Sequence, residues 1–365
     1  MPKDANLNGS ALRKPAAAAA VTLMGFAVLR RLGVRKDDQV VHQSIHGSRG
    51  ADRGRRADRP SELGTLGWRD VLWRTYAEFS DDRILMIAAG ITFYGLLALF
   101  PALTALVSIA GLVIDPSRIV EQVQSLSGVV PEAAIGIISD QLQRIAEQPA
   151  NSLSFAFMIG LAIALWSANN GIKAMFEGLN IVYDEEEDRS FLRLNAVSLM
   201  FTLGAMVTII IALGAIVVVP ALLGFVGLGG LSSTLINLGR WPVLFAFIIV
   251  GIGLLYRFGP SRRPARWRWI SVGSVLAAVL WVVMSAVFSW YVSNFNSYNQ
   301  TYGSLGAVIA FMVWMWISAS IILLGAELNA ELEHQTARDT TISPEKPMGN
   351  RGAHAADTVG KRMTS

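Results

Sequence analysis

The sequence predicts an all-α protein: a polytopic membrane helix bundle of six transmembrane helices with cytoplasmic N- and C-termini. Three observations carry that prediction. Of the 365 residues, 53% are hydrophobic and 16% charged, with mean hydropathy +0.45, a departure from soluble averages towards membrane proteins. Six apolar stretches occur, at about 84–114, 153–173, 195–225, 241–256, 270–292 and 305–324, each close to or above the helix length that crosses about 30 Å of hydrocarbon at 1.5 Å per residue. The basic residues, finally, alternate between connections. Arg69, Arg74 and Arg83 precede the first span, Arg189 and Arg193 follow the second, and Arg257, Arg262, Arg263, Arg266 and Arg268 follow the fourth. The opposite connections hold Arg118 and Arg144 in a long loop, Arg240 alone, and none between Tyr291 and Leu305. Short loops rich in Lys and Arg stay in the cytoplasm, which fixes the orientation.

Each element follows from its own residues. Residues 1–67 form an N-terminal extension, largely disordered, with an Ala-rich apolar segment at 15–29 bracketed by Arg13, Lys14, Arg30 and Arg31. That segment is shorter than a span requires and lacks the small-residue cleavage site of a signal peptide, so its insertion is left open. The transmembrane domain is assigned to 68–332. Trp68–Arg83 carries Val71, Leu72, Tyr76 and Phe79 at helical spacing, the pattern of an amphipathic helix at the membrane surface. The first span is about 46 Å long if straight, so it tilts or kinks; Pro101 lies near its middle and removes a backbone donor. Two short amphipathic helices are expected in the first outer loop, the second opening at Pro131-Glu132 with Ile135, Ile138, Leu142 and Ile145 on one face. The second span continues as helix to Tyr183, a Gly-rich turn at 224–230 separates the third from the fourth, and the sixth continues to Leu332. A polar tail, 333–365, is expected to be disordered.

Composition excludes several kinds of chemistry. Without cysteine there is no thiolate nucleophile and no Cys-ligated metal. His42, His46, His334 and His354 all lie in polar ends, away from the apolar core. No phosphate-binding GxxxxGK[ST], HExxH, EF-hand or GxSxG pattern occurs. The consecutive acids at Asp184–Asp188 look flexible and unspecific as a cation site. No catalytic residue, metal or cofactor is therefore assigned, and no enzyme activity. The arginines at 257–268 are explained by topology and not by nucleic acid.

Two groups of residues remain as candidates. Ser167, Asn169, Asn170 and Asn180 punctuate the second span and its extension; polar atoms facing lipid are costly, so they predict a polar cavity turned into the bundle. Lys173 lies about 30 Å beyond Leu153, and Glu327 about 33 Å beyond Leu305, both near the inner boundary. Arg257 lies about 24 Å beyond Trp241 on a span running inward. Ion pairs among Lys173, Glu177, Arg257 and Glu327 are expected at that interface. At the outer end, the uncharged loop 293–302 reads as an aromatic belt and a turn.

Four stretches carry a resemblance: AAGITFYGLLALFPAL from Ala88, LWSANNGIKAMFEGLNIVY from Leu165, YNQTYGSLGA from Tyr298 and LLGAELNAELEH from Leu323. In this order the chain resembles, over about 68–338, the YihY/BrkB family of bacterial inner-membrane proteins, formerly mislabelled ribonuclease BN. The resemblance implies six helices, cytoplasmic termini, a multi-pass location in the inner (plasma) membrane, and links to envelope integrity and serum resistance. A nuclease would want a metal cluster or acid-base pair beside a basic groove, and none is visible. The expectation is a protein that binds, and transports or exports, an amphiphilic envelope component such as a lipid or lipid-linked molecule. A non-transporting scaffold or regulatory membrane protein is the alternative. Its partners are the lipid bilayer and a lipid or amphiphile ligand; the oligomeric state is open.

Overall fold

The computed structural model describes residues 53–110, 135–136, 139, 155–225, 231–294 and 304–363. The Ala-rich segment 15–29, most of the first outer loop and the outer turn at 295–303 lie outside them. The described chain is helical, and its one β-type pairing is an isolated antiparallel bridge between Ala265 and Thr341.

After a 3₁₀ turn at Pro60–Glu62, α1 spans Thr65–Asp81. It buries Gly67, Asp70, Val71, Arg74 and Thr75, residues at steps of three and four that make a single face. Gly67 is needed for the approach of the preceding strand of chain: a Cβ there would sit 2.5 Å from the carbonyl oxygen of Arg53. Arg83, with φ +54°, stops α1, and the chain bends by 60° into α2, Ile84–Ala110. Pro101 lies within α2 as expected.

The remaining long helices are α3 (Phe155–Val182), α4 (Phe191–Phe225), α5 (Leu231–Phe258), α6 (Trp267–Asn294) and α7 (Ser304–Gln335), with a single turn, α8, at His354–Asp357. Each expected span falls on one of α2 to α7. The largest shift is in α5, which starts ten residues before the predicted Trp241 and carries Pro242 inside it. Among the described residues, three helices are long and apolar enough to cross a membrane, at Phe191–Ile211, Trp267–Val292 and Val308–Gln335. A fourth is added if the bent pair α1 and α2 counts as one span.

The core sits where α7 meets α2, α3 and α6. Small residues set these distances. A Cβ on Gly171 of α3 would lie 3.4 Å from Ala98 of α2, and one on Gly178 would lie 2.9 Å from Ile91. Gly273 of α6 abuts the backbone of Gly325 in α7, and a Cβ there would come within 2.6 Å of Asn329. Ile84, Leu179, Ile270 and Leu323 fill this seam, while Val71, Trp269, Leu328 and Leu332 form a second cluster beneath α1. Outward, large apolar side chains such as Leu97, Met200, Val250 and Trp290 stay exposed, as a lipid-facing surface requires.

The expected disorder is not found in the tail. Residues 336–363 fold back on the bundle, burying Thr336, Thr340, Thr341, Arg351 and Ala353. Their order comes from polar bonds and not from apolar content. Arg266 Nε donates to the Thr341 carbonyl at 2.8 Å, Arg351 donates to the carbonyls of Ala337, Arg338 and Ala356, and Asp357 accepts from the amides of Gly349, Arg351 and Gly352. Residues 53–63 of the extension are likewise packed, with Arg55, Ala57 and Leu63 buried.

Candidate functional site

The last turns of α7 read GAELNAELEHQ, small residues alternating with polar ones. Gly325, Ala326 and Ala330 let neighbouring helices come close, and the polar side chains are then enclosed. Asn329 stitches α7 to α6: its Oδ1 accepts the Gly273 amide at 2.8 Å, and its Nδ2 donates to the Ile270 carbonyl at 3.1 Å. Tyr256 of α5 donates to the Ile322 carbonyl at 2.6 Å.

Three carboxyls on this stretch, Glu327, Glu331 and Glu333, are 3% exposed or less, and burying a charge is costly unless it is paired. Two are paired. Glu331 accepts from Arg74 of α1 and lies 3.0 Å from His334 Nδ1; Arg74 also donates to Gln335 Oε1 at 2.9 Å and to the Lys361 carbonyl at 2.8 Å. Glu333 accepts from Arg262 at 2.6 Å and from the Thr340 hydroxyl at 2.6 Å, while the Arg262 guanidinium lies 4.5 Å from the Tyr183 ring centre. Alongside, Arg53 pairs with the buried Asp70 at 2.6 Å, and Arg55 reaches the carbonyls of His334 and Gly360. Burial, and then the neighbouring Arg74, lower the Arg55 pKa to about 10.

Glu327 is different. Its Oε2 is buried and accepts no hydrogen bond among the described residues. Close by, at the junction of α1 and α2, burial pushes the Asp82 carboxyl up to about 7, reinforced by Asp184, Glu78 and Asp81.

The expected ion pairs are not formed. Among the described residues no ion pair joins Lys173, Glu177, Arg257 or Glu327. Lys173 Nζ lies 4.8 Å from the Trp166 ring centre, and Arg257 lies over Trp267 at 4.7 Å and over Phe258 at 5.5 Å. Helix geometry gives the reason. Trp166, Asn170, Lys173 and Glu177 do share one face of α3, but Trp166, Asn170 and Glu177 are exposed, whereas Phe176, Gly178 and Leu179 turn inward to α2 and α7. Glu327 faces inward and Lys173 does not.

The predicted polar cavity is likewise divided. Asn169 is buried; its Oδ1 accepts from Thr202 of α4 at 3.3 Å, and its Nδ2 has no partner among the described residues. Ser167 is half-buried and Asn170 exposed. Asn180 is clamped, accepting the Ser261 amide at 2.7 Å and donating to Glu187 at 3.1 Å. Nor is the acidic run 184–188 loose. Glu187 holds Arg189 at 2.6 Å, and Glu185 accepts the His354 amide at 2.7 Å. Burial alone would raise the Glu187 pKa, but donors on Arg189 and Asn180 outweigh it and hold the carboxyl below its ordinary value.

Asp70, Arg74, Arg262, Glu331 and Glu333 were not anticipated as a site. Two i,i+4 sets point to it in the sequence, Asp70 with Arg74 on α1, and Glu327, Glu331 and Gln335 on α7. No cluster of three or more His, Cys, Asp or Glu able to hold a metal occurs among the described residues.

Residues 75–349, from the end of α1 through α7 and into the tail, match the family profile described as Virulence factor BrkB. The chain belongs to the BrkB family. A relative named putative ribonuclease-like protein YfkH, from Bacillus subtilis, is 31% identical over 67% of this chain and 88% of its own length. UPF0761 membrane proteins of Nitrosospira multiformis and of Neisseria meningitidis serogroup B are 26% and 27% identical, over 75% and 72% of this chain. The match spans 63% of the length of each of those two. No solved structure matches. With its apolar helices, this BrkB-family chain is a multi-pass bacterial membrane protein.

Proposed function

We propose that this BrkB-family protein crosses the inner membrane six times, through α2 to α7, with both termini in the cytoplasm, and that it binds and exports an amphiphilic envelope component, a lipid or lipid-linked molecule. The observation that supports this reading is the outward stripe on α3. Trp166, Asn170, Lys173 and Glu177 place an aromatic ring, an amide, a cation and a carboxylate on one exposed face of an otherwise apolar helix. Lipid tails cannot satisfy such groups. A polar headgroup can. Reconstituted vesicles carrying fluorescent lipids test it: the protein should speed the loss of inner-leaflet label, and Lys173→Ala with Asn170→Ala should slow that loss. Equal rates with and without the protein would refute export.

A second reading, a non-transporting scaffold, is favoured by the closed polar hub at the end of α7. That hub binds the chain's own tail through Arg74 and Arg55, which donate to the carbonyls of Lys361 and Gly360, and through Glu333, which accepts from Thr340. On this reading α7 is an anchorage, and lipid movement is unaffected by any substitution on α3.

A further inference from the structure

Five arginines lie between the last turn of α5 and the first turn of α6, and they differ in what they hold. Arg262 pairs with Glu333, Arg263 donates to the Pro344 carbonyl at 2.7 Å, and Arg266 bonds Thr341 and Glu345. Arg257 and Arg268, at the two outer positions, have no hydrogen bond or ion pair among the described residues, although Nε and Nη1 of Arg257 and Nε of Arg268 are shielded from solvent. Arg257 is held by aromatic faces instead. Trp267 lies under its guanidinium and is itself half-exposed; it leans on α5 where Gly253 leaves room, since a Cβ there would sit 3.2 Å from the ring.

From Arg257 an exposed apolar strip runs back along α5 through Leu254, Val250 and Phe247, at steps of three, four and three. The ten-residue rise from Arg257 to Phe247 is about 15 Å, the same as about 15 Å for one leaflet of a bilayer whose core is about 30 Å thick. A guanidinium with free donors, no carboxylate partner and an aromatic platform selects a compact oxyanion. The strip beside it selects hydrocarbon.

We infer that Arg257 and Trp267 hold the phosphodiester of an anionic phospholipid of the inner leaflet, with an acyl chain along the α5 strip. The two unmatched arginines leave local positive charge, which suits a net-negative headgroup over a zwitterionic one. This inference rests on the six-span reading of α5 but not on export.

Native mass spectrometry of the purified full chain, with added phosphatidylglycerol, phosphatidylcholine or inorganic phosphate, tests it. Retention of phosphatidylglycerol should exceed that of phosphatidylcholine about tenfold, the value of one charge-assisted contact, and free phosphate should not displace it. Arg257→Gln and Trp267→Ala should each abolish the preference, Arg257→Lys should reduce it, and Arg193→Gln, at an exposed arginine in the first turn of α4, should leave it intact. Equal retention of both lipids, displacement by phosphate, or an equal effect of Arg193→Gln would overturn the site. The chain has no cysteine, so Val250→Cys gives a separate readout. It should resist a membrane-impermeant maleimide in intact membranes; labelling would overturn the acyl track and the span together, whatever the lipid preference.

Discussion

Replacing Glu333 by alanine should be among the most damaging single changes outside the apolar core. Its carboxylate is fully buried, and Arg262, 2% exposed, faces it at 2.6 Å. Removing one partner of a buried pair leaves an uncompensated charge, at a cost of about 3–5 kcal/mol. The Thr340 hydroxyl loses its acceptor too. For a domain of this size, at about 2–4 °C per kcal/mol, the melting midpoint should fall by about 6–20 °C. Removing both charges is different, because an apolar replacement of similar volume is often neutral. Arg262→Met with Glu333→Leu should therefore recover most of the loss. Tryptophan fluorescence in detergent, at a single scan rate for all variants, measures it. A Glu333→Ala midpoint within about 2 °C of wild type, less than 1 kcal/mol, or a double variant no better than the single one, would refute the claim that this pair holds the α5–α6 connection to α7.

Asp82→Asn should alter pH dependence. An acid whose folded pKa is raised from 3.8 to about 7 contributes stability that is full below the unfolded value and lost as pH rises through 7. The variant should thus melt close to wild type at about pH 3.5, increasingly above it as pH rises past 3.8, and furthest above it at about pH 8. Asp339 has the opposite sign. Burial would raise its pKa, but bonds from Thr341 and Lys346 and the charge of Arg351 hold it below 3.8. Its contribution is present above 3.8 and is lost as pH falls through the lower folded value, so limited proteolysis in acid should release the tail first. Gly273→Ala should push α6 off α7, because the new methyl would meet Asn329 and the Gly325 carbonyl; overpacking of this kind costs about 1–3 kcal/mol, readable as a lower midpoint. Tyr256→Phe loses one buried bond to the Ile322 carbonyl, about 1 kcal/mol.

The helices were legible because hydropathy and helix period report local facts. The helix boundary at Arg83 and the length of α7 both follow from neighbours a few residues apart. The candidate site was less legible. Lys173 and Glu327 do reach the same depth by counting, yet depth does not fix the direction a face takes, and α3 turns Lys173 outward. The order of 336–363 was invisible for another reason. Hydrophobic content is the usual signal for folding, and here arginines as far away as Arg263 and Arg266 supply the bonds. Glu333 and Gln335 look like ordinary surface residues until Arg262 and Arg74 arrive.

Arg74 and Glu331 stand 257 residues apart in the chain. At about 5–20 residues per second of synthesis, Arg74 emerges about 13–51 s before the carboxylate that neutralises it. During that interval the nearest carboxylate on the same face of α1 is Asp70, one helical turn away, which Arg53 already engages. The clasp is therefore a late event in the life of each molecule.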